Sequence, residues 1–177
     1  MKKTSKLIFA GLIVAAIFFT TNSMAQTTPA NAWRLGFGVD AGIPTGNAKI
    51  GTTFILGGTG RLQYGISDKF ALTLTSGAYH FFPKMIPGEN VRYNSYGIIP
   101  VKFGAKAFFT PSFYFGAEVG AAFEETDDGA GPTRLILSPA LGYANEHWDA
   151  GVRYENFSGS GGSSGLIALR IAYGFKL

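Results

Sequence analysis

The chain has 177 residues, enough for one domain of ordinary size and no second. Aromatic residues reach 15%, charged residues only 15%, and there are 25 glycines, a balance that suits a tightly packed β-protein and disfavours helix throughout. The formal charge of +4 shrinks once Lys2, Lys3 and Lys6 are assigned to a leader, leaving 12 basic against 11 acidic residues; that excludes the basic stripe a nucleic-acid binder needs, and the absence of cysteine excludes disulfides, thiolate metal sites, a thiol nucleophile and a lipidated N-terminal cysteine.

The first 25 residues read as a secretory signal peptide: three lysines, an apolar run over 7–19, then Ser23-Met24-Ala25 before Gln26. The run is shorter than the ~20 residues a helix needs to cross a bilayer, which disfavours a membrane anchor. The mature protein is then 26–177, carried across the inner membrane with no later apolar run to stop it.

From there the pattern is one of strands. Trp33, Leu35, Phe37, Val39, Ala41 and Ile43 alternate with Arg34, Gly36, Gly38, Asp40 and Gly42, and Pro44-Thr45-Gly46-Asn47 opens a loop. A second strand over 54–66 sets Phe54, Leu56, Leu62, Tyr64 and Ile66 against Thr59, Arg61 and Gln63, and turns tightly at Ser67-Asp68-Lys69. The third, over 70–82, opposes Phe70, Leu72, Leu74 and Ala78 to Thr73, Thr75 and Gly77, and leads into a longer loop. The fourth, over 96–109, opposes Ile99, Val101, Phe103, Ala105, Ala107 and Phe109 to Lys102, Gly104 and Lys106. After a turn at Thr110-Pro111-Ser112, the fifth alternates Phe113, Phe115, Ala117, Val119, Ala121 and Phe123 with Tyr114, Gly116, Glu118, Gly120, Ala122 and Glu124. A loop around Asp127-Asp128-Gly129 leads to a sixth strand over 134–143, less regular because Ile136 faces inward and Pro139 sits within it. Asn145-Glu146 turns into the seventh, Trp148 to Glu155, and residues 158–164 form a Gly/Ser loop. The eighth strand, over 165–177, is the clearest: Ile167, Leu169, Ile171, Tyr173, Phe175 and Leu177 on one face, Ala168, Arg170, Ala172, Gly174 and Lys176 on the other.

Alternation does not say which face points inward; a soluble lipocalin-like carrier would bury the apolar one. Two regularities favour an eight-stranded antiparallel transmembrane β-barrel. Connections alternate between short (near Asp68, Pro111 and Asn145) and longer (near Asn47, Glu89, Asp127 and Gly161), the periplasmic-turn and extracellular-loop asymmetry of outer-membrane barrels. Outward aromatics also gather at the short-turn ends: Trp33, Tyr64, Phe70, Phe109, Phe113, Tyr143, Trp148, Tyr173 and Phe175 form an interface girdle, with Phe54, Phe82, Tyr96, Phe123 and Tyr154 as a thinner one at the other rim.

The segment Ile99-Pro100-Val101-Lys102-Phe103-Gly104-Ala105-Lys106-Ala107-Phe108-Phe109, with Phe113-Tyr114-Phe115-Gly116-Ala117-Glu118-Val119-Gly120 after its turn, resembles the small outer-membrane β-barrel family, PorT-like and OmpA-like in shape. Asp40-Ala41-Gly42-Ile43-Pro44-Thr45-Gly46 and the closing Tyr173-Gly174-Phe175-Lys176-Leu177 share the resemblance, which spans the mature chain. It implies a barrel inserted in the outer membrane of a Gram-negative bacterium by the barrel-insertion machinery, surrounded by outer-membrane lipid, and no catalytic residue to carry over. Members usually end in phenylalanine, whereas this chain ends in Leu177 with Phe175 two residues earlier.

The inward face collects Arg61, Lys102, Lys106, Glu118, Arg153, Glu155 and Arg170. If Phe109 pairs with Phe113, Glu118 stands opposite Gly104 and diagonally beside Lys102 and Lys106, so the lumen is expected to be a paired charge network that plugs the barrel. Other candidates are weaker. Ser76 and His80 share a face but lie four positions apart, about 13 Å at ~3.3 Å per residue, too far for a hydrogen bond, and His147 falls at a turn. Glu124, Glu125, Asp127 and Asp128 lack the spacing of a calcium loop and read as a solvated acidic loop. Gly57-Gly58-Thr59-Gly60 and the glycines of 159–165 neither end in Gly-Lys-Ser/Thr nor open a helix, so they do not cradle phosphate. The reading is a structural or surface-interaction barrel without catalytic residues, cofactor or metal, its extracellular loops meeting a surface ligand or protein partner. The alternatives are a lipid-modifying barrel enzyme of acyltransferase or deacylase type and the soluble carrier.

Overall fold

Side chains that alternate with period two over 12 to 16 residues give each strand one apolar and one small or polar face, and a sheet of such strands can leave its apolar face outside only by closing on itself in an apolar medium. A computed structural model of the chain describes residues 29–126, 129–159 and 162–177; the leader assigned to 1–25 lies outside them. The elements are β1 (Trp33–Gly46), the four-residue α1 (Ala48–Gly51), β2 (Thr52–Ser67), β3 (Phe70–Pro83), β4 (Tyr96–Phe108), β5 (Phe113–Thr126), β6 (Gly129–Ala144), β7 (Trp148–Gly159) and β8 (Gly162–Lys176). All eight strands pair antiparallel with their sequence neighbours, and the sheet is a closed barrel.

The closing seam joins the first strand to the last. Its register runs from Arg34↔Lys176 to Gly46↔Ser164, and the terminal Leu177 N–H donates to the Trp33 carbonyl at 3.0 Å. The short turns are tied by their own side chains: Thr110 Oγ1 accepts from the Phe113 N–H at 2.8 Å, and Asn145 Oδ1 from those of Trp148 at 2.7 Å and His147 at 3.0 Å.

Two of the four loops expected to be long are hairpin ends. The β5–β6 ladder continues to Thr126↔Gly129 and the β7–β8 ladder to Gly159↔Gly162, so the acidic segment and the Gly/Ser segment are largely strand. These arms lack an apolar face, and periodicity alone read them as loop; their backbone groups nevertheless find partners by extending the ladder, and Gly129 (φ 116°) and Gly162 (φ 95°) adopt the positive φ that a tight reversal needs. Among the described residues, α1 with its flanks and residues 84–95 stand apart from the strands at that end.

Pro139 and Pro100, near the middle of their strands, leave the barrel in register. Pro139 pairs with Ala117 of β5, while the β6–β7 ladder passes from Leu137↔Asn156 to Ala140↔Arg153 without a pair at Ser138 or Pro139. Likewise Pro100 pairs with Ala122, and the β3–β4 ladder skips from Ser76↔Val101 to Tyr79↔Ile98. Each proline has no N–H to give, so each leaves a gap on one side only.

The apolar face is the outer one. Phe37 is 58% exposed, Phe115 61% and Leu169 48%, which rules out the soluble-carrier arrangement with apolar residues inside. The lumen is not uniformly polar. Toward the short turns it is ionic, but toward the long connections Ile55, Phe81, Ile98, Ile136, Phe157 and Leu166 fill it as a buried apolar layer. Tyr96, expected on the outer rim, turns inward and stacks on Phe81 with ring centroids 4.3 Å apart; it is even-numbered like the inward Ile98 and Lys102 of the same strand, and parity decides its side.

Leu169 sits midway along β8, paired with Val152 and Ala41. Leu169→Arg places a charge on the lipid face and should lower folded-state stability in lipid vesicles by about 2–4 kcal/mol, read as a lower urea midpoint for loss of the folded band on unheated gels. An unchanged midpoint would contradict an outward, lipid-facing Leu169.

Candidate functional site

An eight-stranded lumen is just wide enough for side chains, so its inner face cannot carry a large residue at every position. In this barrel a large inward residue meets a glycine across the ladder again and again: Arg61 faces Gly36, Tyr79 faces Gly57, Glu118 faces Gly104, Lys102 faces Gly120, Lys106 faces Gly116, Tyr114 faces Gly142 and Arg170 faces Gly151. The space is fully used. A Cβ on Gly142 would lie 2.5 Å from the Tyr114 hydroxyl, and one on Gly104 would lie 2.1 Å from the Ala117 carbonyl oxygen and 2.7 Å from Glu118 Cγ.

Into this space the strands project a chain of alternating charge. Lys106 pairs with Asp149, and Asp149 also meets Arg61 at 3.6 Å. Arg61 reaches Glu118 at 3.1 Å, and Glu118 meets Lys102 at 3.5 Å. Lys102 pairs with Glu155, Glu155 meets Arg153 at 3.1 Å, Arg153 meets Asp40 at 2.9 Å, and Asp40 meets Arg170 at 3.8 Å. Each of the four carboxylates is therefore shared by two cations, and no link in the chain joins like charges. Lys102 and Glu155 are 0% exposed. Charges this deep persist because they are paired and further hydrogen-bonded: Glu118 accepts from Thr75 at 2.6 Å and Thr73 at 3.2 Å, Asp40 from Thr59 at 2.6 Å, and the Arg61 and Arg170 Nε–H groups donate to Thr75 at 2.9 Å and Thr59 at 3.1 Å.

Two tyrosines hold the chain, Tyr114 at its Lys106 end and Tyr79 within it. The Tyr79 hydroxyl takes hydrogen bonds from Lys102 at 3.2 Å and Arg153 at 2.5 Å, while its ring belongs to the apolar layer, so one residue joins the two halves of the lumen. Tyr114 donates to Asp149 at 2.7 Å and lies under the Lys106 ammonium, 4.1 Å from the ring centroid.

All seven inward charges expected from the sequence, Arg61, Lys102, Lys106, Glu118, Arg153, Glu155 and Arg170, lie in this chain, and Glu118 stands opposite Gly104. The partners differ from those expected. Glu118 takes Arg61 in place of Lys106, because the β2 guanidinium reaches across the lumen while Lys106, one turn of the pleat lower, lies beside Asp149 of β7. Sequence reasoning left Asp40, Asp149, Arg34, Tyr79 and Tyr114 out of the network although each sits on a polar face; the available signal was parity, which places all five inward.

The aromatics proposed as a girdle lie on the outer surface at the short-turn end, and most touch one another across or along the strands. Trp33 meets Tyr64 at 4.7 Å between centroids, Phe109 meets Phe113 at 6.2 Å, Phe113 meets Tyr143 at 5.3 Å, and Tyr173 touches Trp148 at 5.1 Å and Phe175 at 5.0 Å. Phe70 is exposed opposite Ala107. Ser76 and His80 both point outward, with His80 edge-on to Phe82 at 4.7 Å, and His147 lies at its turn 5.6 Å from Tyr173. Of the acidic cluster, Glu124 pairs with Arg134 at 2.9 Å, Glu125 is exposed, and Asp127 and Asp128 lie outside the described residues. Above the apolar layer a cleft of about 610 Å³ opens between α1 and residues 84–95, lined by Asn47, Ile86, Val91, Arg92, Tyr93 and Tyr96 among others.

No protein-family model matches the chain, and no curated protein matches it by sequence. Solved structures do. The attachment invasion locus protein Ail of Yersinia pestis aligns with a TM-score of 0.57 at 11% identity, over 82% of this chain and 99% of that one. Ail in a phospholipid bilayer nanodisc gives 0.55 at 12% identity over 79% and 99%, and the outer-membrane protein OprG of Pseudomonas aeruginosa 0.50 at 11% over 85% and 99%. At such identities the likeness carries the fold: the chain is an eight-stranded antiparallel transmembrane β-barrel of the small outer-membrane type.

Because the charges alternate, deleting one and deleting a neighbouring pair should differ sharply. Glu118→Gln strands Arg61 and Lys102 and should destabilise the folded barrel by about 3–5 kcal/mol in urea unfolding. Combining Lys102→Met with Glu155→Leu removes one charge of each sign, leaves Glu118 with Arg61 and Arg153 with Asp40, and should stay within about 1 kcal/mol of the parent. Equal losses in the two proteins would show that the pairing order is not what holds the network.

Proposed function

We propose that this is a small outer-membrane barrel of a Gram-negative bacterium, secreted through a cleaved signal peptide and inserted by the barrel-assembly machinery, whose role is structural or in surface interaction and not in broad solute transport. The observation that carries this reading is the filled lumen. An ionic layer in which each carboxylate is shared by two cations lies below an apolar layer headed by Phe81, Phe157 and Ile136, and the two together occupy the bore where a porin would hold water. What remains for contact with other molecules is the outer rim: the cleft between α1 and residues 84–95, and the exposed Ile50, Met85 and Val91 beside it. The PorT-like and OmpA-like resemblance of the strands agrees with this role, as does the band of outward aromatics at the short turns, which suits a lipid interface. Surface ligand, protein partner and outer-membrane lipid all meet the protein from outside its wall, and the reading assigns it no reaction.

The chain has no cysteine of its own, so single cysteines report topology cleanly. Asn90→Cys, in the 84–95 connection, should react with a membrane-impermeant maleimide on intact cells, whereas Glu146→Cys, in a short turn, should react only after lysis. In planar bilayers the parent should give no large steady conductance. Labelling of Glu146→Cys on intact cells would reverse the orientation, and a stable open channel would remove the sealed lumen.

A further inference from the structure

The cleft at the long-connection end has a volume of about 610 Å³, within the range of small-ligand sites, roughly 300–1,000 Å³. Two aromatic rings border it, and each is held from behind. Tyr96 stacks on Phe81 with centroids 4.3 Å apart and is hydrogen-bonded to the Thr52 side chain, so the side of the ring away from Phe81 is what it can offer a ligand. Tyr93 lies against α1, where a Cβ on Gly51 would sit 3.4 Å from its Cγ. Rings fixed before a ligand arrives lose little freedom when it binds.

Beside the rings stand polar groups with their bonding capacity unused. Asn47 precedes α1, yet its side chain makes no capping hydrogen bond. The Arg92 and Asn94 side chains, both exposed, make no hydrogen bond or ion pair among the described residues, and no described carboxylate lines the cleft. Glu89, at the tip of the same connection, makes no ion pair with Arg92 there; its N–H closes a turn on the Ile86 carbonyl at 3.1 Å. A pyranose ring matches this set. The C–H bonds of one face pack on an aromatic ring, the hydroxyls around its edge suit amides that both donate and accept, and a uronic-acid carboxylate can take two N–H groups of one guanidinium. A hydrocarbon chain would leave Asn47, Arg92 and Asn94 without partners, and a bare phosphate would use Arg92 but neither ring. Thr52 is buried and Tyr96 turns inward, so the cleft opens from the mouth of the bore and not from the lipid-facing wall. Its ligand therefore arrives from solvent and not from the surrounding bilayer.

We propose that this cleft binds a short acidic oligosaccharide from outside the cell, with its carboxylate on Arg92, its hydroxyls on Asn47 and Asn94, and one ring face on Tyr96. The source of the sugar rests on the reading of this end as the outer one; the binding itself does not.

The mature chain, refolded in a zwitterionic detergent, is titrated calorimetrically with trigalacturonate at constant ionic strength, so that screening is held fixed. Maltotriose serves as the neutral sugar and triaspartate as a peptide of the same net charge. The expected result is saturable binding of trigalacturonate, with magnetisation passed from the protein to its ring C–H protons in saturation-transfer NMR. Maltotriose should bind about tenfold more weakly or worse, and Arg92→Gln, an exposed change, should lose a similar factor for trigalacturonate. Tyr96→Ala removes the platform and should lose the binding too, with unheated gels checking that each variant is folded. No saturable binding of trigalacturonate, triaspartate bound as tightly, or full affinity in both variants would each overturn the proposal. Because the titration is made in detergent, none of these failures is confused with a reversed orientation, which the cysteine labelling reports separately.

Discussion

Eight strands close around an interior just wide enough for side chains, and the volume of each large inward residue has to be offset by small ones near it. Many of the inward tyrosines, lysines and arginines have a glycine as one ladder partner, and that explains why so many of the 25 glycines lie on the lumen face opposite a large residue. The glycines are not there for backbone freedom, since the inward ones at 36, 57, 104, 116, 120, 142 and 151 have ordinary negative φ. They are there for volume. Tyr79 over Gly57 and Tyr114 over Gly142 show the same arrangement with aromatic rings, which also cover the stretch of backbone that a glycine leaves bare.

Once the lumen is that narrow, its charges have no water to fall back on and must satisfy one another. Sharing each carboxylate between two cations lets four acids organise five bases into a single chain, and threonines at 59, 73 and 75 take up the remaining lone pairs and donors. Such a chain stiffens the wall it hangs from. Its links run between β4 and β7, β2 and β5, β1 and β7, and β1 and β8, so they brace strands that no backbone ladder joins as well as one that the seam already does. The β6–β7 and β3–β4 gaps left by Pro139 and Pro100 fall beside Glu155 and Lys102, where the ionic cross-links are densest.

Much of this was legible in the residues. Strict period two located all eight strands, and a turn at Pro111 was enough to place Glu118 opposite Gly104. What periodicity could not supply was contact across the bore. Asp40 and Asp149 belong to strands that are not neighbours of those carrying Arg153 and Lys106 in the sheet order, so no register argument brings them together; only the closed shape does. The ends of the strands were misread for a different reason. Beyond the apolar belt the selective pressure for alternation disappears while the backbone's need for partners does not, and the β5–β6 and β7–β8 hairpins continue in polar residues that look like loop. The apolar layer was half visible: Ile136 was seen facing inward as an irregularity, and Ile55, Phe81, Ile98, Phe157 and Leu166 each have the inward parity of their own strands.

The order of the two layers then matters for where the protein can act. With Phe81, Phe157, Ile136 and Leu166 packed at the outer end, water reaching the barrel from the cleft stops at an apolar surface, and the charges below it are shielded on that side. Tyr79 marks the boundary, its ring in the apolar layer and its hydroxyl among the charges. Among the described residues, the ionic layer approaches solvent at the end of the short turns, where Arg34, Arg61, Arg170 and Asp149 line a small cavity. At that end three guanidinium groups stand beside the Asp149 carboxylate, which Arg61 and Lys106 share, and beyond them the paired charges give way to the apolar layer. A barrel built in this order is filled at its two depths by different residues, and α1 and residues 84–95 frame a cleft of about 610 Å³ at the rim of the long connections.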